Sequence, residues 1–141
     1  MATIAHRDLA YRWFEEVWNG RKPEVIPELI APDAVGHLPA GDLVGPEPFL
    51  DRVYRPFLAA FPDLHIGVEE TLGDADDIAV RWLATGTHTG EPFLGLPPSG
   101  RPIRLRGITW IRYRDGQMIE GWDCWDSAAL IAQLRGDNPP A

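Results

Sequence analysis

"LHIGVEETLGDADDIAVRWLATGTHTG", residues 64–90, is where the chain changes period. Before it, apolar residues return at three- to five-residue intervals. Within it they alternate with polar ones, as a half-buried strand requires. "GDADD" (73–77) is a turn signal, so the stretch reads as two strands, "LHIGVEETL" and "DIAVRWLATGTHTG". Downstream, "IRLRGITWIRYR" (103–114) is a third strand and "RDGQ" holds an Asp-Gly hairpin turn. "QMIEGWDCWD" (117–126) is then a fourth. "SAALIAQL" has helical composition, and "RGDNPPA" should fray.

Upstream the pattern is helical. In 3–19, Ile4, Leu9, Trp13, Phe14 and Val17 form an apolar stripe that Asn19-Gly20 ends. A second short helix starts at Pro23 and buries Val25, Ile26, Leu29 and Ile30. "APDAVGHLPAGDLVGPE" (31–47) reads as loop and short extended chain. A third helix runs from Pro46 to about Phe61, with Pro56 expected to kink it or to start a turn. Helices first and then an antiparallel sheet indicate α+β. One domain is expected over 1–141: mainly helical to 62, antiparallel sheet over 63–126, and a short helix over 127–135. A curved sheet wrapped over the N-terminal helices would make a cone-shaped α+β barrel with a deep apolar pocket.

Composition narrows the function. Net charge is −8, which argues against nucleic acid as partner. One cysteine permits no internal disulfide, and no Cys/His cluster has zinc spacing, so no metal is expected. No apolar run approaches the roughly 18 residues of a membrane span, and the N-terminus lacks signal-peptide features. A cytoplasmic protein is expected. Six tryptophans in 141 residues need a heavy core or a lined cavity.

"VRWLATGTHTGEPFLGLPPSGRPI" and "RDGQMIEGWDCWDSAALIAQL" strongly resemble the SnoaL-like polyketide cyclases of the nuclear transport factor 2-like superfamily. The matching residues are Gly86 to Gly90, Gly95 to Gly100, Arg112, Asp115-Gly116, Trp122 to Asp126 and Gln133-Leu134. "PDAVGH" and "AFPDL" match earlier in the chain. The resemblance implies a cone with a deep pocket, and makes Asp123 the acid/base of an intramolecular aldol closure with His88 near it. Thr109 stands where the anthracycline cyclases carry a polar or histidine residue, so their specific substrate does not transfer.

The residues themselves leave alternatives. Strand alternation puts Ile119, Gly121, Asp123 and Trp125 on one face and Met118, Glu120, Trp122, Cys124 and Asp126 on the other. If the first face lines the pocket, desolvation raises the Asp123 pKa and poises it for proton transfer. A solvated carboxylate, or one paired with arginine, fits the residues equally well. The resemblance favours the base. Asp126 opens a helix and reads as its N-cap. His88 shares a face with Val80, Trp82, Ala84 and Gly86; it is either a bonded structural histidine or a donor beside Asp123. His37, Trp82, Thr109, Trp13 and Phe14 are candidate substrate contacts. Trp110 is read as core, and Cys124 as packed and inert. Arg101, Arg104, Arg106, Arg112 and Arg114 are read as one solvated face.

The expectation is therefore a cofactor-free acid/base enzyme acting on a small hydrophobic carbonyl compound, as a polyketide cyclase would. Epoxide hydrolysis, isomerisation or hydroxylation on the same scaffold is the alternative chemistry, and a non-enzymatic ligand-binding module is the other. The aromatics of "WIRYR" and "WDCW" suggest a homodimer through the sheet.

Overall fold

A computed structural model describes residues 5–137. Ile4 of the first stripe and the end of the tail lie outside the described residues. The first helix runs His6–Arg12 and continues as a wide π-type turn over Trp13–Asn19, burying Leu9, Trp13, Phe14 and Val17. Asn19 ends it and also clamps a strand: its amide donates to the Ile66 carbonyl at 2.7 Å and accepts from the Ile66 N–H at 2.8 Å. The second helix is a tight turn, Pro23–Val25, followed by Ile26–Leu29. The third comprises Pro46–Phe49, a π-type stretch Leu50–Tyr54, and Arg55–Ala60. A proline inside a helix clashes with the carbonyl four residues back. Here the widened turn falls directly before Pro56, so the helix continues past it.

Six strands form one curved, open sheet: β1 (Ile30–Leu38), β2 (Gly41–Val44), β3 (His65–Gly73), β4 (Asp77–Thr87), β5 (Pro102–Arg114) and β6 (Gln117–Trp125). Their order is β2-β1-β6-β5-β4-β3. The fold is α+β, with two corrections to the sequence reading. Residues 30–44 are a β-hairpin where loop and short extended chain were expected, and β1 lies parallel to β6, so the sheet is mixed. Prolines and glycines hid β1. Its register breaks between Ile30 and Val35, so Pro32 sits where the ladder demands no N–H. Further irregularities between Val68 and Glu70 and between Arg112 and Tyr113 bend the sheet over the helices.

Asp115 and Gly116 both have positive φ, 51° and 80°, the conformation that a two-residue hairpin between twisted strands needs. Along β5 the odd positions Ile103, Leu105, Ile111 and Tyr113 are buried, and Arg104, Arg106, Arg112 and Arg114 point away from the helices. Arg101 precedes the strand and does not belong to that row. Trp110 is on the outer face and 46% exposed, so it is not core. Cys124, on the same face, is exposed rather than packed.

The C-terminal helix, Ser127–Arg135, docks where β6 has ended. Beyond Gly107 β5 has lost its partner on that side, and the buried Gln133 side chain replaces it. Gln133 accepts from the Arg104 N–H at 2.8 Å and donates to the Arg104 carbonyl at 3.0 Å. Asp126 caps the helix, accepting from the Ala129 N–H at 3.0 Å. Asp126→Ala should therefore lose about 1 kcal/mol of unfolding free energy, and Asp126→Asn almost none, because asparagine caps equally well. Urea denaturation checks this; equal losses in both variants would show that the carboxylate does something other than cap.

Candidate active site

Between the concave face of the sheet and the first and third helices lies a cavity of about 450 Å³, walled largely by aromatic and aliphatic side chains. Trp13, Trp18, Phe57, Trp82, Phe93 and Trp125 make most of the aromatic wall. A smaller lobe of about 70 Å³ runs under β1 and β2. Trp13, Leu38, Phe49, Thr109 and Asp123 belong to both lobes, which places the carboxylate at their junction. The larger depression of about 730 Å³ at the strand turns is ringed by Asp74, Asp76, Asp77 and Asp115. It is open and charged, and it lacks the apolar walls that bind small molecules.

One feature of the sheet puts Asp123 inside. Counting back from the Asp115-Gly116 turn without interruption would pair Thr109 with Trp122. The irregularity after Arg112 shifts the pairing by one residue, so Thr109 pairs with Asp123 instead. The same shift leaves Met118 buried and lining the smaller lobe, on the side opposite to that expected from alternation.

Asp123 is held by a short chain of hydrogen bonds. The Trp82 indole N–H donates to Thr109 Oγ1 at 2.9 Å, and the Thr109 hydroxyl donates to Asp123 Oδ1 at 2.5 Å. Indole can only donate, so the direction of the chain is fixed: threonine accepts from tryptophan and must spend its own proton on the carboxylate. Among the described residues no group bonds Oδ2, so one carboxylate oxygen is left for the cavity. Gly107 makes the arrangement possible. It pairs with Trp82 across the ladder, and a Cβ there would lie 2.2 Å from the indole ring.

Asp123 has intermediate exposure because it opens onto the cavity, yet protein surrounds it. Desolvation raises its pKa above the ordinary 3.8, and the Thr109 hydrogen bond opposes that rise without cancelling it.

Trp13, Phe14, Trp82 and Thr109 all line the cavity, and the last two act on Asp123 directly or through one bond. The structure does not bring the two histidines there. His88 is fully buried beyond the end of β4, with Nε2–H donating to the Glu91 carbonyl at 2.9 Å and its ring against Phe61. It lines neither lobe and shares no hydrogen bond with Asp123. The alternation that grouped it with Trp82 stops at Thr87, where the strand ends. His37 is on the outer face, bonded to Asp42 at 2.9 Å and Glu120 at 2.7 Å and stacked on Trp122. The Glu120 hydrogen bond foremost, then that of Asp42, raises its pKa. Among the described residues no group of three His, Cys, Asp or Glu side chains is placed to hold a metal, and no helix is long and apolar enough to cross a membrane.

The profile of the SnoaL-like polyketide cyclases matches residues 8–134, and the chain belongs to that family. Among solved structures it is similar to IdmH, a candidate polyketide cyclase from Streptomyces antibioticus. Identity is 36%, the match covers 92% of this chain and 97% of that one, and the TM-score is 0.79. AclR, a candidate hydroxylase from Streptomyces galilaeus, is 27% identical, with 96% and 83% covered and a TM-score of 0.81. A candidate SnoaL-like polyketide cyclase from Jannaschia sp. CCS1 is 26% identical, with 99% and 98% covered and a TM-score of 0.83. A search of curated proteins returned no match.

The raised pKa of Asp123 has a stability consequence. The folded chain binds this proton more tightly than the unfolded chain does. That contribution is complete below the ordinary aspartate value of 3.8 and is lost as pH climbs through the raised one. Asp123→Asn removes the dependence. Its unfolding free energy should gain on the wild type as pH rises from about 4 and level off once the carboxylate is ionised. Parallel pH profiles in denaturant titrations would mean that the carboxylate is an ordinary solvated one.

Proposed function

We propose that the protein is an acid/base enzyme for small hydrophobic carbonyl compounds, with polyketide cyclase-like chemistry. The observation that carries this is the position of Asp123: an elevated-pKa carboxylate at the junction of an apolar cavity, with Oδ1 held by Thr109 and Oδ2 open. In the proposed reaction, Asp123 takes a proton from carbon alpha to a carbonyl. The electron pair of that C–H bond forms an enolate, whose carbon attacks a second carbonyl of the same molecule. A C–C bond forms, the carbonyl π bond breaks, and the alkoxide takes the proton back from Asp123. Family membership and the likeness to IdmH support cyclisation among the possible carbanion reactions. Asp126 is occupied as a helix cap, which leaves Asp123 as the one aspartate of the pair in the cavity and weakens a two-aspartate hydrolytic reading.

The first step is testable without the natural substrate. A bicyclic ketone such as 2-tetralone suits an aromatic-walled cavity, and its alpha protons exchange with deuterium when a base removes them. Wild type should accelerate that exchange, read by NMR. Asp123→Asn, which keeps the shape and loses the acceptor, should slow it by about 100- to 10,000-fold while still binding the ketone. Equal exchange in both proteins would sink the catalytic assignment.

The proposal extends to assembly as a homodimer. Ile108 and Trp110 are 49% and 46% exposed on the outer face of β5, Trp122 lies 5.3 Å from the Trp110 ring, and exposed Cys124 adjoins them. Contiguous aromatic surface of this kind marks association sites. Sedimentation at micromolar concentration should give a dimer, and Trp110→Glu a monomer. Wild type that sediments only as a monomer would refute it.

A further inference from the structure

Arg52 stands out from the cavity around it. Phe49, Arg52, Val53, Pro56 and Phe57 line the cavity from the third helix, at the spacing of one helix face. Four of the five are apolar, and Arg52 is exposed, so it sits where the cavity opens to solvent beside Pro39, Ala40 and Leu94. Among the described residues lining the two lobes it is the sole basic side chain. It is also without a carboxylate partner among them. The neighbouring Arg55 takes Asp51 at 2.6 Å, and the positions three and four away from Arg52 are Pro48, Phe49, Arg55 and Pro56. In a chain of net charge −8, a guanidinium at this opening with no carboxylate partner among the described residues is set against the prevailing field.

We infer that Arg52 is a specificity-determining residue that receives an anionic group, a carboxylate above all, at the mouth of the cavity. The apolar body of the same ligand would reach inward toward Asp123. This deepens the reading of the cavity given above and rests on it. An arginine presents a planar fork of donors that matches a carboxylate in two parallel hydrogen bonds. At the edge of an apolar wall such a pair is less screened than on open surface. The site would thus select amphipathic acids, with the charge outside and the reacting carbonyl carbon inside.

Trp13, Trp18, Trp82 and Trp125 line the cavity, so intrinsic fluorescence reports its occupancy. The test compares 1-naphthylacetic acid with its methyl ester, which differ in charge and little in shape, on wild type, Arg52→Gln and Arg52→Glu. Each is also measured in an Asp123→Asn background, where proton transfer plays no part. The ester-to-acid ratio of dissociation constants should fall about fivefold in Arg52→Gln and further in Arg52→Glu, with ester affinity unchanged. A ratio that is the same in all three proteins, with both probes bound, would overturn the role of Arg52 and leave Asp123 untouched. Failure of either probe to bind wild type would overturn this inference together with the cavity reading beneath it.

Discussion

The hydrogen bond from Thr109 to Asp123 is the constraint on which the site depends. A carboxylate facing an apolar cavity is costly to ionise, and without a fixed donor it would rotate or stay protonated. Thr109 supplies that donor at 2.5 Å, but a hydroxyl can turn. The Trp82 indole removes that freedom by occupying the oxygen's lone pair at 2.9 Å. The indole in turn lies where it does because Gly107, its partner across the ladder, has no side chain. A backbone choice on β5 is thereby passed through two side chains to the orientation of one carboxylate.

Much of this was legible in the sequence, and the limits have physical causes. Period-two alternation placed β3 to β6, and the Asp-Gly turn located the β5–β6 hairpin within a residue. Alternation also put Asp123 and Trp125 on one face. It could not show that Thr109 lies opposite Asp123, because the register shift after Arg112 leaves no composition signature. The β1–β2 hairpin was missed for a related reason. Pro32, Gly36, Pro39 and Gly41 are loop residues by propensity, and β1 tolerates them by breaking its register and ending in a turn. His88 was grouped with the cavity by extending a period past the point where the strand stops.

The two faces of the sheet divide the work. Inward, Ile78, Val80, Trp82, Ala84 and Ile111 are buried and the polar content is reduced to Thr109 and Asp123. Outward, charge is spread through pairs: Arg112 to Asp77 at 3.0 Å and to Glu120 at 3.5 Å, and Glu120 to His37 at 2.7 Å. Pairs this exposed contribute little stability each. Their consequence is that His37, a candidate substrate contact from sequence, is engaged on the outer surface, as is Arg112, which the sequence placed on a solvated face. A side chain's chemistry is thus decided by which face the register assigns it.

Two opposing effects set the usefulness of Asp123 as a base. Burial alone would raise its pKa further, giving a stronger base that is ionised less of the time. Hydrogen bonding alone would lower it below the ordinary aspartate value, giving an available but weaker base. In this cavity burial is the larger effect and the Thr109 bond the smaller, opposing one. Because the bond falls on Oδ1, it stabilises the ionised form without covering Oδ2, the oxygen left to meet a ligand. A second donor on Oδ2 would lower the pKa further and block the reacting position. A single threonine is therefore the smallest polar addition that keeps the carboxylate both ionisable and open.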